Sequence, residues 1–332
     1  MCDGLEIDML SVGNADALLI TLWHGTYATR VLVDGGNAGS YDTVRSFLDS
    51  LGINYIDHVV CTHPHDDHAA GLVKLVEDTT LSFGQGWMHL PWLHADPVNL
   101  SRALASRSTM FDAIKRTMET VDLLYERFKA RRIPVREPFA GGVVGCLRVC
   151  GPTVEYYEEL LARMTDLEAI ESYERTKRAL DRCDTFEEVV REAESGLLSN
   201  PTTSPENESS VILCTAYDGR QLLLTADAGV GALSRAVDMY GLEACFWMQV
   251  PHHGSRRNIT RELIQHFRPV MACISAEGTH KHPSRAVVNA FNEVGTSVYS
   301  THYPKQAHLW LHLGSVPERH GYGPATPLYE AQ

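Results

Sequence analysis

Short apolar runs, separated by glycines and polar turns, dominate the first ninety residues. They predict a series of strands at 5–10, 17–23, 30–34 and 58–62. Between the last two, apolar residues at 44, 47, 48 and 51 have helical spacing and predict a helix that ends at Gly52. We therefore expect a sheet whose last strand leads directly into residues 62–68.

The apolar period becomes helical between residues 101 and 132. Apolar side chains fall three and four residues apart, which predicts a helix with a single apolar stripe, at positions 111, 114, 118, 121, 125 and 128. Residues 102–136 contain nine Lys and Arg against four Asp and Glu, a net charge of +5. This basic stretch is either a solvated helix face or a cationic wall beside an active site.

An acidic helical stretch follows a predicted strand at 147–150. Residues 155–194 contain thirteen Asp and Glu against six Lys and Arg, and they run into a loop rich in Ser, Thr, Pro and Asn. Because strands resume directly after this loop, we expect residues 155–204 to form a helical insertion.

The strands resume as a predicted hairpin, 210–216 and 221–225, with Asp218-Gly219 at its turn. Helices and strands then alternate to the end of the chain, at 231–240, 244–250, 261–267, 270–275, 286–291, 297–300 and 308–313. Two sets of strands interleaved with helices predict an α/β fold in which two sheets lie between helical layers, an αββα sandwich. We expect residues 1–332 to form one domain that carries the insertion.

The composition is that of a globular protein. The chain has 332 residues, 44% of them hydrophobic and 21% charged, with a formal net charge of −13. This acidic balance excludes a non-specific polyanion binder. Apolar runs stay shorter than the roughly 18 residues of a membrane span, and the first ten residues lack signal-peptide features, so we expect a soluble cytoplasmic protein without a membrane partner. The cysteines form no CxxC pair and lie mostly in apolar runs, which predicts buried free thiols.

Metal-binding side chains crowd into residues 62–68, whose sequence Thr-His-Pro-His-Asp-Asp-His contains the pattern HxHxDH. A loop between a strand and a helix can direct all of these side chains into one cleft, whereas one face of a regular helix cannot. Imidazole and carboxylate groups suit borderline divalent metals such as Zn²⁺. The pattern therefore predicts a metal site directly after the strand at 58–62.

Other polar clusters stand where predicted strands end. Asp34, Asp227, the pair His252-His253 and His282 each follow a different apolar run. Because α/β folds build sites from strand ends that are distant in sequence, we expect these residues to converge on the HxHxDH loop.

These motifs resemble those of the metallo-β-lactamase-fold hydrolases and, among them, the ComEC/Rec2-like branch of DNA-uptake (competence) proteins. The resemblance rests on residues 10–17, 33–36, 63–68, 207–211, 224–227, 252–255 and 282–283. It implies the αββα fold, in which residues 155–204 have no counterpart. Asn14 and His65 depart from the usual residues of that branch, which weakens the inference of a shared substrate but leaves metal binding intact.

The resemblance implies two divalent metal ions, zinc in preference to manganese. The ligands it implies are His63 and His65 for the first ion, Asp67, His68 and His282 for the second, and Asp227 as the bridge. Asp34 would orient the HxHxDH loop as a hydrogen-bond acceptor. The family's third histidine for the first ion is missing, since the corresponding window holds Asn207 and Glu208. His252 or His253 either fills this open position or faces the substrate.

A bridged pair of such ions can hold a hydroxide and clamp both oxygens of a displacement. As catalytic residues we expect Asp67, which would orient the nucleophile, and His252 and His253, which would stabilise charge on a phosphoryl or acyl oxygen. The residues expected to bind substrate are Asn207, Ser255, Arg256 and Arg257. The last three form either an anion site with backbone amides ahead of a helix or an ordinary basic helix start.

The sequence favours a metal-dependent phosphodiesterase or nuclease that acts on a nucleic acid or nucleotide. Hydrolysis of a small ester, lactone, thioester or lactam is the alternative, and a metal-binding partner protein is disfavoured because the ligand set leaves open positions. Phosphodiester chemistry predicts that Arg256, Arg257 and the helices of 102–136 line the cleft, whereas acyl chemistry predicts an apolar pocket.

Two further features bear on partners. Three tryptophans either stack bases, wall a pocket or pack in the core: Trp87, Trp92 and Trp247. The acidic insertion 155–204 is unsuited to clamping DNA and instead predicts a protein partner, a lid or a homodimer contact.

Overall fold

The structure, a computed structural model, describes residues 2–96, 98–99, 101, 112–166, 175, 197, 201–279, 281–320 and 322–328. Within these ranges the strands are β1 Gly4–Met9, β2 Leu18–His24, β3 Tyr27–Val33, β4 Tyr55–Val60, β5 Ser82–Trp87, β6 Val135–Arg136, β7 Val143–Val144, β8 Leu147–Gly151, β9 Ile212–Tyr217, β10 Arg220–Leu224, β11 Trp247–Gln249, β12 Met271–Ile274, β13 Ser297–Ser300 and β14 Leu309–Gly314. The helices are α1 Tyr41–Ser50, α2 Asp66–Glu77, α3 Pro91–His94, α4 Asp112–Ala130, α5 Val154–Thr165, α6 Pro205–Glu208, α7 Val230–Tyr240, α8 Arg261–Phe267 and α9 Arg285–Glu293.

The described strands form two seven-stranded sheets, each half antiparallel and half parallel. The first has the order β14-β1-β2-β3-β4-β5-β6, and its strands are parallel from β3 to β6. The second has the order β13-β12-β11-β10-β9-β8-β7, and its strands are parallel from β10 to β13. Because parallel strands end at the same edge of a sheet, each sheet brings together the loops that follow its parallel strands.

Apolar side chains fill three layers. One core lies between the sheets and contains Leu18, Val60 and Trp247. A second joins the first sheet to α1, α2 and α4, and a third joins the second sheet to α5, α7, α8 and α9. The order helix, sheet, sheet, helix confirms the predicted αββα sandwich.

The predicted strands of the first half lie within a few residues of β1–β4, and the predicted helix is α1. The strands β5, β6 and β7 were not predicted. β5 has the sequence SFGQGW, whose two glycines break the apolar pattern, and β6 and β7 have two residues each. Such short strands carry no detectable period and depend on their neighbours for pairing.

The helix predicted within 101–132 is α4, whose buried side chains include Val121, Leu124 and Phe128. Two arginines of the basic stretch lie far from the strand ends. Arg127 donates to Glu77 at 2.8 Å, and Arg131 donates to backbone carbonyls at the end of α2 and the start of β5. Since α2 is about 18 Å long and begins at the HxHxDH loop, the interpretation as a cationic wall is wrong for these two residues. Residues 102–111 lie outside the described ranges.

The first part of the predicted insertion is α5. Five of its side chains are buried in the third core: Tyr156, Tyr157, Leu160, Leu161 and Met164. Most of residues 167–200 lie outside the described ranges, so the insertion stays a prediction. Among the described residues, we find no helix with the length and apolar character needed to cross a membrane.

Candidate metal centre

The HxHxDH sequence forms the loop between β4 and α2, as predicted. His63 lies in the loop, His65 precedes the first residue of α2, and His68 is in the first turn of the helix. Two glycines, Gly35 and Gly71, allow this turn to pack directly against the end of β3. A Cβ added to Gly71 would lie 1.8 Å from the carbonyl oxygen of Gly35, so only glycine permits this contact. The close approach fixes α2, and with it His68, against the neighbouring strand end.

Asp34 orients His68. Its backbone has a φ of 58°, a conformation that Asp tolerates better than most residues. Its carboxylate accepts hydrogen bonds from Thr62 N at 2.8 Å, from Thr62 Oγ1 at 2.6 Å and from His68 Nδ1 at 2.7 Å. With the Nδ1 proton held by Asp34, Nε2 of His68 is left as a lone-pair donor. This is the contact that the predicted orienting role of Asp34 requires.

Asp227 lies between two groups of histidines, and each of its carboxylate oxygens faces one group. Oδ2 lies 3.7 Å from His63 Nε2 and 3.6 Å from His252 Nε2. Oδ1 lies 3.4 Å from His68 Nε2 and 4.0 Å from His253 Nε2. The two oxygens of a carboxylate can bind two neighbouring ions, so this arrangement suits a bridging ligand.

Side chains that could hold a metal ion form two groups that share Asp227. The first is His63, His65 and Asp227, and the second is Asp16, His68, Asp227 and His253. Asp67 borders the second group, with Oδ2 at 3.5 Å from His253 Nε2 and Oδ1 at 4.0 Å from His68 Nε2.

Asp16 was not predicted as a site residue. It enters the site because Gln249, at the end of β11, donates to its Oδ2 at 2.9 Å. The Gln249 side-chain oxygen in turn accepts from the backbone amides of Thr225 and Ala226, so it also fixes the turn that carries Asp227. The sequence signal was present in residues 10–17, which support the family resemblance, but spacing alone gives Asp16 no role.

An unusual turn directs His252 and His253 to opposite sides of Asp227. Three consecutive residues have positive φ: His252 at 51°, His253 at 55° and Gly254 at 79°. Ala226, which precedes Asp227, has a φ of 46°. Non-glycine residues adopt this conformation at a cost of roughly 1–3 kcal/mol each, and they cluster at functional sites.

Both imidazoles of this turn are held by their Nδ1 atoms. His253 Nδ1 lies 3.0 Å from the carbonyl oxygen of Ser275, and His252 Nδ1 lies 2.8 Å from Asn258 Oδ1. Asn258 also donates to the backbone carbonyl of Asp227 at 2.7 Å. One amide therefore links the two loops and leaves Nε2 of His252 as a lone-pair donor facing Asp227. Asn258 was not predicted, because a single Asn after the His-His pair has no distinctive pattern.

His282 lies outside both groups. Its ring centroid is 5.5 Å from that of His252 and 6.1 Å from that of His253. Burial and the two neighbouring imidazoles lower the pKa of His282 to about 3, which keeps its ring neutral. His253 lies in the second group beside His68 and Asp227, whereas His282 lies in neither group, so the ligand role of His282 stays a prediction. The turn of His253 follows β11, which adjoins the strand that carries Asp227, and His282 follows β12.

The chemistry of the residues fits two divalent cations. Among the described residues, four buried atoms of the two candidate ligand groups have no hydrogen-bond partner: Asp227 Oδ1, Asp227 Oδ2, His68 Nε2 and His253 Nε2. Leaving such atoms unpaired is costly, and cations between them would satisfy all four. Burial disfavours the charged form of His68, but Asp227, Asp34 and Asp67 outweigh it and raise the pKa of this imidazole well above its usual value. The carboxylates around His68 thus favour positive charge at this site.

The neighbours Asn207 and Glu208 point in different directions. Asn207 faces the site: its Nδ2 lies 3.1 Å from His252 Nδ1, and its buried Oδ1 has no partner among the described residues. Glu208 points away and accepts from the backbone amides of Gly231 and Ala232 at the start of α7.

The anion site expected after His253 is only partly retained. Ser255 is buried and accepts from the Arg257 amide at 3.2 Å, and Arg256 and Arg257 are half-buried. The helix predicted at 261–267 is confirmed as α8, which begins at Arg261 and is capped by Thr260, so the alternative of an ordinary helix start at Ser255 is wrong. In the turn before α8, the backbone amides of Ser255 and Arg257 already donate to the His252 carbonyl and to Ser255 Oγ.

The tryptophans divide as well. Trp87 and Trp247 are buried between the sheets, so the hypothesis that bases stack on them is wrong. Trp92 is half-buried and packs against Tyr125, with 5.2 Å between the ring centroids.

Comparison with known proteins agrees with this geometry. Residues 11–132 match the model of the metallo-beta-lactamase superfamily, a range that contains Asp16, Asp34 and the HxHxDH loop. Over residues 11–132 the chain is therefore similar to the metallo-beta-lactamase superfamily. A comparison with curated protein sequences gives no significant match.

Many solved structures are similar to the chain, and the following three are examples. The metallo-beta-lactamase fold protein YhfI from Bacillus subtilis is 10% identical, with a TM-score of 0.45, covering 93% of this chain and 100% of that one. The hydrolase AbOPH of the beta-lactamase superfamily is 11% identical, with a TM-score of 0.38, covering 89% and 79%. A diphosphatase of the PhnP family is 10% identical, with a TM-score of 0.38, covering 94% and 100%. The DNA-uptake branch stays a prediction.

Proposed function

We propose that this protein is a dinuclear metal-dependent phosphodiesterase that acts on a nucleic acid or a nucleotide. The observation that carries the proposal is Asp227, whose two buried oxygens each face a separate histidine group. Zinc, or manganese in its place, would supply a strongly polarised water as nucleophile and two positive charges that clamp the reacting oxygens. His63, His65, Asp227 and His252 would hold one ion, and Asp67, His68, Asp227 and His253 the other.

Asp67 is the ligand best placed to act on the nucleophile. Its side chain is 36% exposed, whereas that of Asp227 is 1% exposed. Burial opposes the charged form of Asp67, but His68 and His253 outweigh it and lower the pKa of this carboxyl, which keeps it ionised. Its accessible oxygen can accept a hydrogen bond from an attacking water and fix the orientation of that water.

His252 and His253 suit metal binding, one of the two roles expected from the sequence, better than a catalytic role. Each Nδ1 is held by an oxygen acceptor and each Nε2 points at Asp227. This orientation supports metal binding rather than charge stabilisation by a free imidazolium. His282, neutral and directly beside His252, becomes a candidate contact for the substrate.

Phosphodiester chemistry is favoured by the polar groups beside the two histidine groups. Arg256 and Arg257 follow the turn that holds the second group, and guanidinium donors suit phosphate oxygens. The amide nitrogen of Asn207 donates to Thr203, so its unpartnered oxygen is an acceptor, suited to a hydroxyl or amino group of a nucleotide. The acidic segment 155–204 remains a candidate for a protein partner or a homodimer contact.

The test is to assay metal-reconstituted protein on several substrate classes. These are bis-p-nitrophenyl phosphate, single- and double-stranded DNA, RNA, a cyclic nucleotide, a lactone and a lactam. We expect zinc- or manganese-dependent cleavage of at least one phosphodiester, and no cleavage by the Asp227→Ala variant. Cleavage of the lactone or lactam alone would show that the site is an acyl hydrolase.

A further inference from the structure

Two buried thiols meet between β8 and β9. The Sγ atoms of Cys150 and Cys214 lie 2.9 Å apart, with Cys150 as the hydrogen-bond donor. Cys150 is 2% exposed and Cys214 is 8% exposed. Both face the third core, on the helix side of the second sheet. The metal centre uses neither residue.

A bulge in β8 brings the two side chains together. Arg148 is opposite Cys214 in the strand pair, and the register shifts between Val149 and Gly151, so Cys150 is the irregular residue. A bulge re-aims the side chain of the extra residue. The neighbouring strand residue Cys214 is thereby placed within reach of a direct sulfur–sulfur contact.

The shared hydrogen bond also separates the reactivity of the two thiols. Because Cys150 donates its proton toward Cys214, it lowers the pKa of Cys214, while the same bond raises the pKa of Cys150. A thiolate is the form that reacts with oxidants. Cys214, the more exposed of the pair, is therefore the residue that reacts first.

We propose that Cys150 and Cys214 form a reversible oxidation site, at which a small hydroperoxide converts the two thiols to a disulfide between β8 and β9. The Cys214 thiolate attacks a peroxide oxygen, so that a sulfur–oxygen bond forms, the oxygen–oxygen bond breaks and hydroxide or an alkoxide leaves. Cys150 then attacks the sulfenic sulfur, the sulfur–sulfur bond forms, and water leaves with the Cys150 proton. The peroxide gains the two electrons that the thiols lose.

The position of the pair determines which parts of the chain the disulfide would join. The two cysteines are 64 residues apart in the chain and flank the predicted insertion 155–204. A disulfide here would join the two strands between which that segment leaves and re-enters the sheet. It would act independently of the proposed hydrolytic activity.

The test is peptide mapping of the full-length, metal-loaded protein. Reduced protein is treated with hydrogen peroxide, then unfolded in guanidinium chloride that contains iodoacetamide, so that every remaining thiol is alkylated, and digested without reductant. We expect a cross-linked pair of peptides that contain Cys150 and Cys214, and its disappearance after dithiothreitol. Cys150→Ser should abolish the cross-link and leave a dimedone-reactive sulfenic acid on Cys214.

The matched control is Cys273→Ser, since Cys273 is buried on β12 away from the pair and its loss should leave the cross-link intact. If a variant does not fold, the presence or absence of the cross-link in the unsubstituted protein decides the question. The proposal is overturned if Cys150 and Cys214 are both recovered fully alkylated after peroxide treatment, under conditions that oxidise the exposed Cys146.

Discussion

Nδ1 of His68 lies 2.7 Å from Oδ2 of Asp34, which holds the ring so that its other nitrogen faces Asp227. Asn tolerates the positive φ of position 34 as Asp does, but its side-chain oxygen is a neutral and therefore weaker hydrogen-bond acceptor. We expect a loss of roughly 10–100-fold in metal affinity or activity. Competition with a chromophoric chelator measures the affinity. Unchanged affinity in a folded Asp34→Asn protein would contradict the orienting role.

Asp227→Ala should remove the bridge between the two metal groups. We expect metal content to fall from about two ions per chain to well below one, because both groups lose a shared ligand. Elemental analysis after reconstitution and desalting is the measurement. Asp66→Asn is the matched control: Asp66 is the first residue of α2, next to Asp67, but it accepts a hydrogen bond from Thr120 Oγ1 at 2.7 Å, so this variant should keep both ions. Two ions retained by Asp227→Ala would rule out bridging.

Asn258→Leu should weaken the group that contains His252. The substitution keeps the side-chain size but removes the bonds to His252 and to the Asp227 carbonyl. We expect roughly a 10–100-fold loss of affinity for one of two ions. Titration of the metal-free protein with Co²⁺ should show one weakened visible absorption phase and one unchanged phase. Equal weakening of both phases would instead point to a general structural defect.

Arg256 and Arg257 should serve the substrate and not the metal. In the double alanine variant we expect a higher KM or a lower kcat on phosphodiesters, unchanged metal content and, for a polyanionic substrate, a weaker dependence on salt. Steady-state kinetics at two ionic strengths test this. If phosphodiester kinetics stay the same while a neutral lactone is cleaved well, the substrate assignment is wrong.

Asp8 should make the folding stability depend on pH. It is fully buried on β1 next to Arg319, and burial, opposed by Arg319, raises its pKa from 3.8 to about 7. The folded state therefore binds the proton more tightly than the unfolded state. The resulting stabilisation is complete below about pH 4 and is lost as pH rises to about 7, by about 1.4 kcal/mol per unit.

The variant Asp8→Asn lacks this titration. Chemical denaturation at about pH 5 and about pH 8 should show a larger decline of the unfolding free energy in the unmodified protein than in the variant. Identical declines would mean that Asp8 is charged throughout this range.

Strand-end motifs made the HxHxDH loop, Asp34 and Asp227 predictable, because each lies within a few residues of a patterned strand. The position of His253 beside His68 and Asp227 was not predictable, since it depends on which parallel strand lies next to β10. The positive φ angles of His252 and His253 were not predictable either. Propensities reserve positive φ for glycine, so a strained pair of histidines leaves no signal in the sequence. Asp16 enters through a hydrogen bond from Gln249, 233 residues away.

The metal centre is shared between the two halves of the sandwich. Loops of the first sheet contribute His63, His65, Asp67 and His68, while loops of the second contribute Asp227, His252 and His253. The superfamily match ends at residue 132 and so covers only one side. Neither half could hold the pair of ions alone, which makes metal uptake a reporter of assembly. Two fragments split between β6 and β7, the second of which carries β14 of the first sheet, would regain full metal binding only when they associate.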